Sequence, residues 1–146
     1  MSYIGFKFIH VLIAIIALGT SAALGILLTF FVGHPTHGAF VLRTVRTLLY
    51  FVVIPGYVLM LITGMWTAHL GALLDASWAE AAMNLWGVGA IFIAFTAVAV
   101  HRQIALFDSA GPSSPLYRRT AMFARLSGAG VGIVILTMVY LMVFKP

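Results

Sequence analysis

The sequence predicts an all-α integral membrane protein, an up-down-up-down bundle of four helices, and three observations carry that prediction. Hydrophobic residues make up 63% of the chain and charged residues 8%, against about 25% charged in ordinary soluble domains. Mean hydropathy is +1.14. Four apolar runs, at about residues 3–32, 41–68, 80–107 and 117–144, each exceed the roughly 20 residues needed to cross the hydrocarbon core. A soluble domain of 146 residues could not hide so much apolar surface.

The first run has no basic leader and no small-residue cleavage site, so it reads as a retained helix that also directs insertion. It carries Lys7, His10 and the small residues Gly19, Ser21, Ala22, Ala23 and Gly25. The link Gly33–Gly38 (GHPTHG) holds a proline and two histidines. The second run opens with Arg43, Arg46 and Tyr50 at i, i+3, i+7, one helical face. Pro55 and Gly56 in its middle predict a kink and a freed carbonyl. Met65, Trp66 and His69 close it. After a link containing Asp75, the third run begins at Glu80 and ends near His101 and Arg102. Asp108–Pro115 (DSAGPSSP) is a turn-rich loop. The fourth run carries Tyr117, Arg118, Arg119 and Arg125, then Gly128 and Gly132 at GxxxG spacing. Such small-residue faces either let helices approach closely or leave room for a flat macrocycle. Links this short make sequential helices antiparallel neighbours.

Basic residues set an expected orientation. Lys7 and Lys145 lie at one end of the bundle, and six arginines lie at the other. The cytoplasmic excess of positive charge places the first and third loops inside and both termini outside. Trp66, Trp78, Tyr3 and Tyr140 then form an outer aromatic belt, with Tyr117 near the inner interface. The net charge of +5 follows from this insertion pattern, not from nucleic-acid binding. The absence of cysteine excludes disulfides, thiolate metal sites, iron–sulfur clusters and c-type haem attachment. No P-loop, GxSxG or HExxH motif occurs. Three acidic residues are too few for a di-iron or glycosidase site, and none lies mid-span as in a proton-coupled transporter.

Five histidines remain as carriers of chemistry. His10 lies about one turn inside Lys7, where a neutral imidazole needs a metal, a cofactor or a hydrogen bond. Met65 and His69, four residues apart on the second helix, are its candidate partners from the outer half. His101 lies most of a bilayer away, roughly 25–30 Å, and cannot share an atom with His10. It defines an alternative inner site with His34 or His37. Met60, Met83, Met122, Met138 and Met142 read as adaptable core filler. Arg46 and Arg125 lack acidic partners in the chain and suit an external carboxylate.

The start FKFIHVLIAIIALG, the series Arg43, Arg46, Tyr50, Pro55, Gly64 and Trp66, the pair His101–Arg102, and the Tyr117, Arg118 and Arg125 opening of the last helix carry a resemblance. Together they resemble the bacterial four-helix membrane protoporphyrinogen oxidases and their copper-resistance-protein-D-like relatives. The resemblance implies that His10 ligates haem b and that Arg46, Tyr50 and Arg125 surround the porphyrin. It also implies a bacterial inner membrane. Two departures argue against porphyrinogen oxidation itself. GTSAALG stands where the family has a tryptophan and an arginine–proline pair, and Ala82, Met83 and Asn84 stand where it has a lysine.

The expected function is that of a haem-b-binding membrane protein in electron transfer, or a subunit of a respiratory-type membrane complex with partner subunits or further copies of itself. Alternatives are a porphyrin-metabolism oxidase, a cofactor-free structural accessory subunit, and a copper-handling protein using soft methionine and histidine ligands.

Overall fold

A computed structural model describes residues 2–145 of the chain. All regular structure among them is helical: α1 (Tyr3–Phe30), α2 (Gly38–Leu48), a π-helical segment (Leu49–Val53), α3 (Ile54–Leu70), α4 (Ser77–Ala110) and α5 (Pro115–Phe144). α2, the π segment and α3 run on as one 33-residue span, so four helices are long and apolar enough to cross a membrane. The π segment is where the proline makes itself felt. Pro55 has no N–H to give the carbonyl four residues back, and its ring crowds that carbonyl. The chain widens just before it, and the Ile54 N–H bonds to the Leu49 carbonyl, five residues back. A π turn of this kind keeps a helix continuous through such a defect.

Polar residues fix the helix ends. The Ser2 hydroxyl accepts from the Gly5 N–H at 3.4 Å, and the Ser114 hydroxyl from the Tyr117 N–H at 3.2 Å, satisfying donors that a helix start leaves orphaned. α4 stops only at Gly111, whose φ of 75° is a left-handed conformation suited to glycine. The helix therefore continues through Asp108, which the turn-rich composition had placed in the loop. Asp108 Oδ1 sits 3.7 Å from Arg43 Nη2. The last three spans extend two or three residues beyond most of their expected ends, because their caps lie outside the apolar runs, whereas α1 ends at Phe30, two residues before its expected end.

The bundle is ordered α1, α2–α3, α4, α5, with α5 closing back on α1. α4 and α5 share the longest contact, α1 packs on α3 and α5, and α2 packs on α4. α3 and α4 touch only sparsely. Leu24, Leu28, Leu42, Val53, Val100 and Val131 belong to one buried core. The outside is as apolar as the inside: Phe51 is 78% exposed and Leu136 72%. That distribution is stable only in a bilayer.

Hydrogen bonds supplement packing where lipid gives helices no hydrophobic reason to associate. The Tyr57 hydroxyl donates to the Trp86 carbonyl at 3.0 Å, and the Trp86 indole N–H donates to the Tyr57 carbonyl at 3.1 Å. The two rings stack at 5.2 Å. Thr96 Oγ1 meets Ser127 Oγ at 3.0 Å and ties α4 to α5. The Tyr117 hydroxyl donates to the Val32 carbonyl, joining α5 to the end of α1. Close approach falls at different glycines from the GxxxG pair. A Cβ at Gly130 would stand 2.6 Å from the Phe92 ring, and one at Gly56 would stand 2.8 Å from the Ala17 Cβ. A Cβ at Gly128 or Gly132 would meet nothing within 4 Å.

Candidate functional site

His10 lies on α1, half-buried, against α3. Its Nδ1 is 3.0 Å from Thr63 Oγ1. The Thr63 hydroxyl has its own acceptor, the Leu59 carbonyl at 2.7 Å. A hydroxyl has one proton, so with that proton on the carbonyl its oxygen can only accept from His10. In the neutral tautomer that donates from Nδ1, Nε2 carries the lone pair. A metal-binding histidine is held in this way, by a hydrogen bond at the nitrogen that does not ligate. Gly64, the next residue, makes the fit possible: a Cβ there would lie 3.0 Å from His10 Cε1.

The sparse contact between α3 and α4 opens a cavity of about 330 Å³ beside this ring. That volume lies at the lower end of small-molecule sites. Its walls are apolar, with Trp78 and Trp86 among them. Met60, Met65, Met83, Met138 and Met142 line it together with His10, five of the seven methionines in the chain. Lys7 and Lys145 line it too, from opposite ends of the sequence. Lys7 Nζ stands 5.9 Å from the Tyr3 ring centre and Lys145 Nζ 5.5 Å from that of Trp78, within reach of cation–π attraction. No acidic residue lines the cavity, so its electrostatic character is cationic.

The other expected site residues lie elsewhere. Met65 reaches the cavity, but His69 does not; it is exposed, with its ring 6.5 Å from Trp66. Arg125 bonds through Nε to the Leu28 carbonyl at 3.4 Å. Leu28 lies 18 residues beyond His10 on α1, about 27 Å at 1.5 Å per residue. Arg46 likewise precedes Gly64 by 18 residues, and Tyr50 sits in the π segment, 47% exposed. The structure does not bring Arg46, Tyr50 or Arg125 to the His10 cavity. His34 and His37 stack on each other at 4.8 Å in the first loop. His34 Nδ1 accepts there from the Thr36 and His37 N–H groups at 3.3 Å. His34 and His101 are both exposed. Among the described residues no three His, Cys, Asp or Glu side chains converge to hold a metal. Any metal at His10 would depend on thioethers or on a cofactor.

The grouping of the methionines and the two lysines escaped the sequence reading, although a signal was present. Met60, Met65, Met83, Met138 and Met142 all fall in the halves of their spans nearest the termini, the same depth as His10. Gln103 gave no such signal. It is fully buried on α4, and neither its amide nitrogen nor its oxygen has a hydrogen-bond partner among the described residues.

One family profile, described as "Predicted integral membrane protein (DUF2269)", matches residues 5–146. No curated protein matches the chain, and no solved structure does. A match over nearly the whole length, on a bundle of four apolar helices, means that the chain belongs to the DUF2269 family of integral membrane proteins.

Proposed function

We propose that the protein binds haem b in the cavity beside His10 and works in electron transfer, as a subunit of a respiratory-type complex of the bacterial inner membrane. The observation that carries this reading is the 3.0 Å approach of His10 Nδ1 to Thr63 Oγ1 on a ring that lines the cavity; with Nδ1 as the donor, Nε2 is the nitrogen that would serve as ligand. The donor set fits. A neutral imidazole and thioethers are the axial ligands of low-spin cytochromes. Apolar and tryptophan walls suit a flat macrocycle. Lys7 and Lys145 suit its carboxylates, a role the sequence had pointed to in Arg46 and Arg125.

A bound haem supplies a one-electron carrier. The residues around it do the rest. His10 would hold it through a ring nitrogen, and Thr63 would keep the imidazole oriented. Met65 would be a second ligand in preference to His69, since it lines the cavity; Met60, Met83, Met138 and Met142 are further thioether donors there. With both termini outside, the cavity opens toward the outer face, and the exposed apolar flanks contact lipid and partner subunits.

A second reading rests on the same methionines. Thioethers and one imidazole are soft ligands suited to copper(I). A visible spectrum and elemental analysis of the purified protein separate the two. Reduced bands of six-coordinate haem b support the first reading, and stoichiometric copper without such bands supports the second. A colourless, metal-free protein that takes up neither overturns both.

A further inference from the structure

The link between α3 and α4 sits at the mouth of the His10 cavity. Leu73 and Leu74 of this link line the cavity, together with Tyr3 and Lys7 from the start of α1 and Lys145 from the end of α5. All five lie at the end of the bundle that carries the termini. His10 stands about one turn further in, and Trp86 lies about 12 Å beyond Trp78 along α4. At the depth of Trp86, its reciprocal hydrogen bonds with Tyr57 hold α3 to α4. From there outward the two helices touch only sparsely, and the link bridges the gap.

The link is held by a capping turn that suits glycine and contains alanine. The Leu73 N–H bonds to the Ala68 carbonyl at 2.8 Å, and the Ala72 N–H to the His69 carbonyl at 3.2 Å. These are the two bonds of a Schellman motif, in which the residue after the cap takes the left-handed conformation. That residue is Ala72, with a φ of 53°. In this conformation its Cβ crowds the following carbonyl, a cost that glycine does not have. Gly71, one residue earlier, has a φ of −91° and makes no use of that freedom. It serves packing instead. A Cβ there would stand 2.9 Å from the Tyr3 ring and 3.1 Å from Leu73 Cδ1, so α1 and the link both close on Gly71. Strained residues of the Ala72 kind cluster at ligand clamps and switch regions.

We propose that residues 71–76 form a lid on the His10 cavity, closed by Leu73 and sprung by Ala72. Opening unwinds the capping turn, breaks its two hydrogen bonds and releases Ala72 to an ordinary conformation. The Tyr57–Trp86 bonds keep α3 and α4 together below, so the lid moves while the spans stay in place. The proposal rests on the reading that the cavity receives a ligand, and the lid sets how fast that ligand enters and leaves.

Thiol accessibility tests this without any ligand, so its failure is distinct from a failure of haem or copper binding. Ala82 is buried and lines the cavity, and the chain has no cysteine of its own. In Ala82→Cys, reconstituted in lipid nanodiscs, a membrane-impermeant sulfonated methanethiosulfonate should modify the thiol at a rate limited by lid opening. Adding Ala72→Gly should slow modification about five-fold, the low end of the left-handed penalty for a residue with a Cβ. Adding Ala72→Val should speed it, because a branched side chain fits that conformation worse. Adding Leu73→Ala should also speed it, with the turn intact. Hydrogen exchange of the Leu73 amide should slow in Ala72→Gly by the same factor as the modification. If Ala72→Gly slows that exchange and leaves the modification rate unchanged, the turn is a helix cap that does not gate the cavity, and the proposal is overturned. No modification in any variant would overturn it too. The expected rate changes in a protein that takes up neither haem nor copper would support the lid and refute the ligand assigned to the cavity.

Discussion

Thr63 Oγ1 lies 3.0 Å from His10 Nδ1 and 2.7 Å from the Leu59 carbonyl, so one hydroxyl on α3 links a histidine of α1 to the α3 backbone and, by donating to that carbonyl, favours the tautomer with Nε2 unprotonated. The consequence is directional. The same imidazole with the opposite tautomer would turn an N–H to any metal, and the site would not bind one. The interaction also fastens α1 to α3 near the end where α3 and α4 have drawn apart.

Thr63→Val removes the acceptor while nearly keeping the volume. Haem affinity, followed by absorbance on titrating the apoprotein, should fall about 10- to 100-fold, the usual loss when a metal-bound histidine loses its supporting partner. Thr63→Ser should keep most of it, because the hydroxyl remains. Equal affinity in Thr63→Val and the wild type would show that the hydroxyl does not orient the ring.

The glycines make contrasting predictions about stability. A Cβ at Gly89 would strike the Tyr57 hydroxyl and lie 3.1 Å from Val134 Cγ1. That would break the reciprocal Tyr57–Trp86 bonds. Gly89→Ala should cost about 1–3 kcal/mol, the usual range for overpacking a core. Gly128→Ala should gain up to about 1 kcal/mol, since it adds helix propensity in open space. Unfolding in mixed detergent micelles measures both, and the reverse order would contradict this packing.

Gln103→Met tests the buried amide. An amide with no partner in an apolar interior costs roughly 1–3 kcal/mol, and methionine is close to it in shape. The variant should therefore be more stable by about 1 kcal/mol in the same unfolding assay. A loss of stability would mean that the Gln103 amide is hydrogen-bonded in the membrane, to water or to a partner.

The absence of cysteine makes topology easy to read. With loops one and three in the cytoplasm, Ala76→Cys should react with an impermeant maleimide from outside in intact cells, and Ser113→Cys should react only after the cells are opened. The opposite pattern would invert the bundle and turn the His10 cavity toward the cytoplasm.

The bundle was legible because its causes are local. Apolar length dictates a span, and short polar links dictate antiparallel neighbours. The helix ends were less so, since Asp108 and Ser109 read as turn formers while the conformation that stops α4 belongs to Gly111. His10 could be placed by depth, because Lys7 one turn away marks the surface. Its partner could not. Thr63 is one of several mid-span hydroxyls, and only the rotation of α3, which brings Gly64 under the ring, selects it. Arg46 and Arg125 were grouped with His10 through a family resemblance, although about 27 Å of helix separates Leu28, the partner of Arg125, from His10. The GxxxG spacing of Gly128 and Gly132 was visible, but which glycine meets a neighbour depends on side chains such as Phe92, which a one-dimensional pattern does not contain.

The most direct test of the central claim is the visible spectrum of the protein reconstituted with haem, taken side by side with His10→Ala. The account predicts a six-coordinate haem b spectrum for the wild type and no specific binding for His10→Ala, with the variant still inserted at wild-type levels because insertion depends on apolar length. Met65→Ala should give a five-coordinate spectrum if Met65 is the opposite ligand, and His69→Ala should leave the spectrum unchanged. Full haem retention in His10→Ala, or loss of haem only in His101→Ala, would contradict the assignment.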